Sequence, residues 1–111
     1  METLLVLTNL PDLASAQDLA LHLIEQRLAA CVNVLPVCRS VYRWQGKIEH
    51  TEEVPVVIKT TNQRYAALES AIRERHPHEL PEIIAVPLTA GLPVYLNWIE
   101  QECECAVPLS C

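Results

Sequence analysis

The sequence predicts an α+β fold with the split βαβ, ferredoxin-like order β-α-β-β-α-β and one further C-terminal helix. Three observations predict it. Two short apolar runs, residues 4–8 and 82–86, are bounded by turn residues and read as buried strands. Two stretches carry apolar residues at helical spacing. Between those stretches lie two long strand-like arms joined by one tight turn.

The first strand, Leu4-Leu5-Val6-Leu7-Thr8, stops at Asn9-Leu10-Pro11-Asp12. A helix follows, capped by Asp12 or Ser15; Ser15 and Asp18 have capping-box spacing. Ala16, Leu19, Ala20, Leu23, Ile24 and Leu28 form its apolar stripe, and Gln17, Glu25 and Gln26 its wet face. From Cys31 to Trp44 the pattern turns strand-like, with Val32, Val34, Val37, Val41 and Tyr42, interrupted by Pro36. Trp44-Gln45-Gly46-Lys47 is the turn, with Gly46 supplying a positive φ. The return arm runs to Thr60. In simple register Pro36 faces Pro55, which leaves the ladder short of donors and predicts a bend there. A second helix spans 62–76, with Thr60 and Gln63 as a capping box and Tyr65, Leu68 and Ile72 as its stripe. It ends at Pro77. After the last strand, Gly91 and Pro93 open a third helix with Leu92, Tyr95, Leu96 and Ile99 on one face. The tail from Gln101 to Cys111 is expected to fray or to cap a sheet edge.

A chain of 111 residues forms one domain, residues 1–111, with a proper core. The net charge of −6 is scattered and no basic patch interleaves with aromatics, which argues against nucleic acid as a partner. No apolar run approaches the roughly 20 residues of a membrane span, and the N-terminus lacks the pattern of a signal peptide. The five cysteines, Cys31, Cys38, Cys103, Cys105 and Cys111, are odd in number and follow no secreted spacing, so they read as reduced thiols of a cytoplasmic protein.

The arms carry the first functional inference. Each holds about 13 residues, roughly 40 Å at about 3.3 Å per residue. A compact chain of this length has a radius of gyration near ~13 Å. The hairpin tip, with Tyr42, Trp44 and Ile48, therefore projects beyond its own core, and apolar surface of that size calls for cover. A homotrimer whose hairpins clasp neighbouring subunits supplies it and also covers the open face of the sheet. The alternative is a hairpin coiled back over its own helices.

Five segments in this order, 27–33 (Arg-Leu-Ala-Ala-Cys-Val-Asn), 40–48 (Ser-Val-Tyr-Arg-Trp-Gln-Gly-Lys-Ile), 58–60 (Ile-Lys-Thr), His76-Pro77 to Pro81-Glu82-Ile83, and 95–99 (Tyr-Leu-Asn-Trp-Ile), resemble the CutA divalent-cation tolerance proteins over residues 3–100. The resemblance implies a ferredoxin-like fold, a trimer similar to the PII signalling proteins, and a role in the response to divalent metals such as copper. It implies no settled biochemical activity. Where the family shows His-Pro-Tyr-Glu, this chain has His76-Pro77-His78-Glu79, a second imidazole in place of the tyrosine.

Two constellations follow. His76, His78 and Glu79, with Glu82 nearby, form the best local metal candidate: residues two apart in an extended segment share a face, and imidazole with carboxylate suits zinc or copper(II). The structural alternative is a histidine at a helix C-terminus and prolines that end the helix. Cys31 is a further metal candidate, for copper(I), or a nucleophile, or simply a small buried residue. The second constellation is an inter-subunit cleft of Tyr42, Trp44, Lys59, Glu79, Glu82, Tyr95 and Trp98. Aromatic bodies with polar tips suit half-wet interfaces, and Lys59 ends an apolar strand in need of an anionic partner. The resemblance supplies the rest of that grouping. Cys103, Cys105 and Cys111 could chelate a soft metal, but three tail thiols fall short of a four-ligand framework. The functional expectation is a trimeric module for tolerance of or response to divalent ions, binding a metal or a small anionic ligand, without an organic cofactor and without catalysis. The alternatives are a pure assembly protein with an indirect metal link, or a hydrolase-like enzyme using Cys31 or His76.

Overall fold

The computed structural model describes residues 2–104. Its elements are β1 (Thr3–Leu10), α1 (Leu13–Glu25), β2 (Cys31–Val34), β3 (Cys38–Trp44), β4 (Lys47–Thr61), α2 (Tyr65–Arg75), β5 (Ile83–Pro87) and α3 (Pro93–Glu102). One antiparallel sheet has the order β2-β4-β1-β5, with β3 also pairing on β4. β2 and β3 are two halves of one predicted arm, so the expected split βαβ order holds with five strands instead of four.

Alternation sets the two faces of the sheet. Leu4, Val6 and Leu10 of β1 and Val54, Val56 and Ile58 of β4 are buried against Ala16, Leu19 and Leu23 of α1 and Leu68, Ala71 and Ile72 of α2. The opposite face carries Leu5, Leu7, Val57, Ile84 and Val86, in cross-strand register Leu5↔Val86, Leu7↔Val57 and Leu7↔Ile84. Among the described residues no helix covers its middle: Ile84 and Val86 are about half exposed, at 50% and 45%.

The bend at the prolines is a bulge. Val34 pairs with Val56 and Cys38 with Glu53, so three residues on one arm stand against two on the other. The Leu35 amide donates to Pro55 O at 2.9 Å, and Pro36, with no donor, sits in the unpaired gap. Beyond it the hairpin runs out to a two-residue turn in which Gln45 (φ 50°) and Gly46 (φ 80°) both have positive φ, the type I′ pattern that matches strand twist. The molecule measures 45 × 29 × 23 Å with a radius of gyration of 14.8 Å, larger than the ~13 Å of a compact chain this size. Val41 and Ile48 on the hairpin are 59% and 62% exposed.

Helix ends show where side-chain chemistry decides. Asp12 caps α1, its Oδ1 accepting the Ser15 amide at 2.8 Å. That bond, seconded by the Ser15 hydroxyl, holds the Asp12 carboxyl below its ordinary range. A carboxyl lowered on folding stabilises above its unfolded pKa, and the contribution is lost as pH falls through the folded value. Asp12→Ala is therefore expected to lower the urea midpoint at pH 7, with the two chains converging in strong acid; a gap that persists there contradicts the cap. Arg27, at φ 54°, ends α1, and the Arg64 guanidinium donates to the carbonyls of Gln26 and Arg27. The capping box expected at Thr60 and Gln63 does not form. β4 runs on to Thr61, the buried Thr60 hydroxyl donates to Leu28 O at 2.7 Å, and α2 begins only at Tyr65 without a side-chain cap.

The tail also differs from expectation in its first residues. α3 continues to Glu102, and Cys103 is buried with its Sγ 3.8 Å from Thr60 Oγ1. Burial pushes the Cys103 thiol up from its ordinary pKa, which favours a neutral packing residue over a thiolate ligand. Cys105 and Cys111 lie outside the described residues. Among the described residues no helix is long and apolar enough to cross a membrane.

Candidate functional site

The segment from His76 to Glu82 is fixed by residues far away in sequence. His76 caps α2 through its amide, then leaves the helix in extended backbone (ψ 130°) ahead of Pro77. The residue is 9% exposed; its Nε2 lies 2.6 Å from Asn9 O, and its Nδ1 accepts the His78 amide at 3.1 Å. Asn9 Nδ2 donates to Glu82 Oε1 at 3.2 Å. One residue at the end of β1 thus holds both ends of the segment. Opposite lies the inner side of β3, and between them opens a cavity of about 810 Å³ whose lining includes Tyr42, Trp44, Glu53, His78, Glu79 and Glu82. The Ser40 hydroxyl donates to Glu53 Oε2 at 2.6 Å on its floor.

A second cluster occupies the other end of the same open face. Lys59 Nζ donates to Asn33 Oδ1 at 3.0 Å, lies 3.9 Å from Cys31 Sγ, and stands 5.9 Å from the centroid of the Tyr95 ring. Tyr95 in turn leans on Trp98, with ring centroids 5.5 Å apart. β2 brings Cys31 opposite Lys59 in register, and α3 supplies the aromatics. Among the described residues, the one ion pair within 4.0 Å is the exposed Arg39–Glu52. Among the described residues the Lys59 ammonium thus meets an amide oxygen, a thiol and a ring face, with no carboxylate within 4.0 Å.

The seven residues expected in one cleft therefore divide within a single chain. Tyr42, Trp44, Glu79 and Glu82 line the cavity, whereas Lys59, Tyr95 and Trp98 gather by β2. From Pro55, the partner of Asn9, to Lys59 is four residues of β4, about 13 Å. The apolar pair Leu7 and Val57 lies between them.

The metal constellation does not assemble in one chain. Cys31 sits with Lys59, away from His76, His78 and Glu79. Both nitrogens of His76 are engaged by backbone groups, so a metal would have to displace one of those bonds. The His76 and His78 rings meet edge to face at 4.8 Å. Among the described residues no three His, Cys, Asp or Glu side chains are placed to hold a metal ion. Four positions escaped the sequence reading. Asn33 was accessible to it, being two residues from Cys31 on a strand. The Ser40–Glu53 bond is a diagonal across the predicted hairpin. Asn9 carries no local signal, because its contacts span more than sixty residues.

Comparison with known proteins places the chain in a family. The family model described as "CutA1 divalent ion tolerance protein" matches residues 4–102. Protein CutA of Mus musculus is 44% identical over 94 residues, 85% of this chain and 53% of its own length, so this chain spans about half of that protein. The divalent-cation tolerance protein CutA of Citrobacter koseri is 41% identical over 98 residues, 88% of this chain and 85% of its own. Among solved structures, CutA from Xylella fastidiosa superposes with a TM-score of 0.90 at 44% identity, covering 94% of this chain and 100% of that one. The Cut A1 divalent cation tolerance protein of Thermus thermophilus gives 0.88 at 37% identity, covering 90% and 97%. With the family model matched along nearly its whole length, the chain belongs to the CutA1 divalent ion tolerance family.

Proposed function

We propose that this protein is a non-catalytic, trimeric cytoplasmic module of the divalent-cation response whose clefts, completed by neighbouring subunits, take a small anionic ligand at Lys59. The observation that carries the reading is the Lys59 ammonium, held by Asn33 and the Tyr95 face with no carboxylate in reach among the described residues. A cation positioned by a neutral acceptor and a ring keeps its charge available for an incoming anion. The uncovered apolar face and the projecting hairpin support the trimer, because together they form a larger apolar patch than a monomer keeps in water. The divalent-cation side comes from the names of the relatives. Since the described residues gather no set of three metal donors, the reading assigns copper or zinc no site among them.

Calorimetric titration of the purified protein with inorganic phosphate and with citrate tests it. Saturable binding is expected with one of the two, weakened about tenfold or more in Lys59→Met, the equivalent of one charge-assisted hydrogen bond. No saturable heat with either probe, or equal affinity in the variant, removes the ligand site. A parallel titration with copper(II) and zinc is expected to be unchanged by His78→Gln.

A further inference from the structure

Asn33 makes the Lys59 site more than a lone charge. An ammonium has donors only, so the 3.0 Å contact with Lys59 Nζ fixes Oδ1 as the Asn33 atom that faces it. The Cys31 thiol donates to the same oxygen at 3.8 Å. The amide nitrogen Nδ2 is therefore turned away, and among the described residues its hydrogens meet no acceptor. Lys59 gives one ammonium hydrogen to Asn33, and its other neighbour is the Cys31 sulfur, a weak acceptor 3.9 Å away. One charged donor and one neutral donor are left for an incoming group. What surrounds them is apolar. Across the sheet Lys59 has Cys31 on one side and Leu5 on the other, with Val86 beyond Leu5. Tyr95 and Trp98 arrive from α3, each 39% exposed, with ring planes inclined at 31°.

We infer that the anion taken at Lys59 is a monocarboxylate with a flat aromatic body, its carboxylate on Lys59 and Asn33 and its ring against Tyr95 and Trp98. The inference rests on the anionic reading of Lys59 and narrows it. Donor count decides against the more highly charged anions. Phosphate and citrate bring more oxygens than one ammonium and one amide satisfy, and the surplus oxygens lose water beside Leu5 and Val86. A single carboxylate has two oxygens, which these two groups match. The rings decide against a small carboxylate such as acetate. Both show part of their surface to water beside the cation, and an offset or edge-on aromatic contact adds to the area it buries. The carboxylate-lined cavity at the other end of the open face has the opposite chemistry and takes no part.

NMR of the full chain tests this, because the chain has two tryptophans, Trp98 in this cluster and Trp44 in the cavity. Benzoate is expected to shift the Trp98 indole signal saturably and to leave that of Trp44, identified with Trp44→Phe, in place. Its dissociation constant is expected to lie about tenfold or more below those of acetate and inorganic phosphate. It should also lie below that of cyclohexanecarboxylate, which has the bulk without the flat face. Tyr95→Leu keeps an apolar side chain and is expected to weaken benzoate about threefold or more while acetate is unchanged. Asn33→Asp keeps the size of the side chain and sets a carboxylate against Lys59, so benzoate binding is expected to vanish with circular dichroism unaltered. Benzoate no tighter than acetate or cyclohexanecarboxylate, with phosphate still weakened by Lys59→Met, overturns the aromatic carboxylate and leaves the anion site standing. Equal benzoate affinity in Asn33→Asp or in Tyr95→Leu, or a shift at Trp44 in place of Trp98, also overturns it. No saturable shift with any of the four anions removes the inference and the anion site together.

Discussion

Leu7→Glu combined with Val57→Glu is expected to break the proposed assembly to single chains. The two side chains are cross-strand partners in the middle of the open face, flanked by Leu5, Ile84 and Val86. In a lone chain they stand in partial contact with water, so the substitutions leave the core on the opposite face untouched. In a trimer built on this face, each subunit would bury two unpaired carboxylates, and a buried unpaired charge outweighs the gain from the surrounding apolar contact. Light scattering at micromolar concentration is expected to read three chains for the parent and one for the double variant, with far-ultraviolet circular dichroism unchanged. A parent that already weighs one chain ends the shared-cleft reading altogether. A double variant that still weighs three places the interface elsewhere, on the hairpin.

The second large effect lies one residue away on the other face. Ile58→Ala removes a side chain that is 0% exposed, at the centre of β4 between Val6 of β1 and Val32 of β2. Lost transfer energy and the residual cavity together cost about 2–5 kcal/mol. For a domain of this size each kcal/mol moves the melting point by roughly 4–8 °C, so a fall of about 10 °C or more is expected. Comparison at one protein concentration is needed, because association adds to apparent stability. Val57→Ala is the informative neighbour: in a single-chain state it should lose far less. If, measured in a single-chain Leu7→Glu background that keeps Val57 as its parent residue, Ile58→Ala shifts the melting point no more than Val57→Ala does, the assignment of the two faces is wrong.

These two adjacent residues show what was legible in advance. The apolar run from Val54 to Ile58 announces a strand, but not which of its faces is dry, because Val57 is as apolar as its neighbours. The facing prolines announced the bulge, since neither can donate to the ladder. The Lys59 environment was half legible: its place at the end of an apolar strand showed a cation in need of a counterpart, but not that the counterpart in this chain is Asn33. Contacts closed by tertiary structure left no trace. Nothing around Asn9 indicates that it ties down His76 and Glu82, and nothing around Cys103 indicates that α3 folds it against Thr60. The capping box at Thr60 failed for a related reason. A local signature is only an offer, and the same hydroxyl was taken by Leu28 O once β4 ran longer than the pattern required.

The surplus residue at 35–37 lets β2 and β3 pair with one continuous β4 although the numbering parity of their faces differs. On β2 the odd-numbered Cys31 and Asn33 share a face with Lys59 and Val57; past the gap it is the even-numbered Ser40, Tyr42 and Trp44 that share a face with Thr51, Glu49 and Lys47. Parity changes there because a strand alternates strictly and the bulge skips a beat. Delete any one of the three residues and two would stand against two: the bulge would close, and Ser40, Tyr42 and Trp44 would keep their partners and their face on β4. The extra residue is therefore what lets the even spacing from Val34 to Cys38 seat both halves of the arm on one continuous strand.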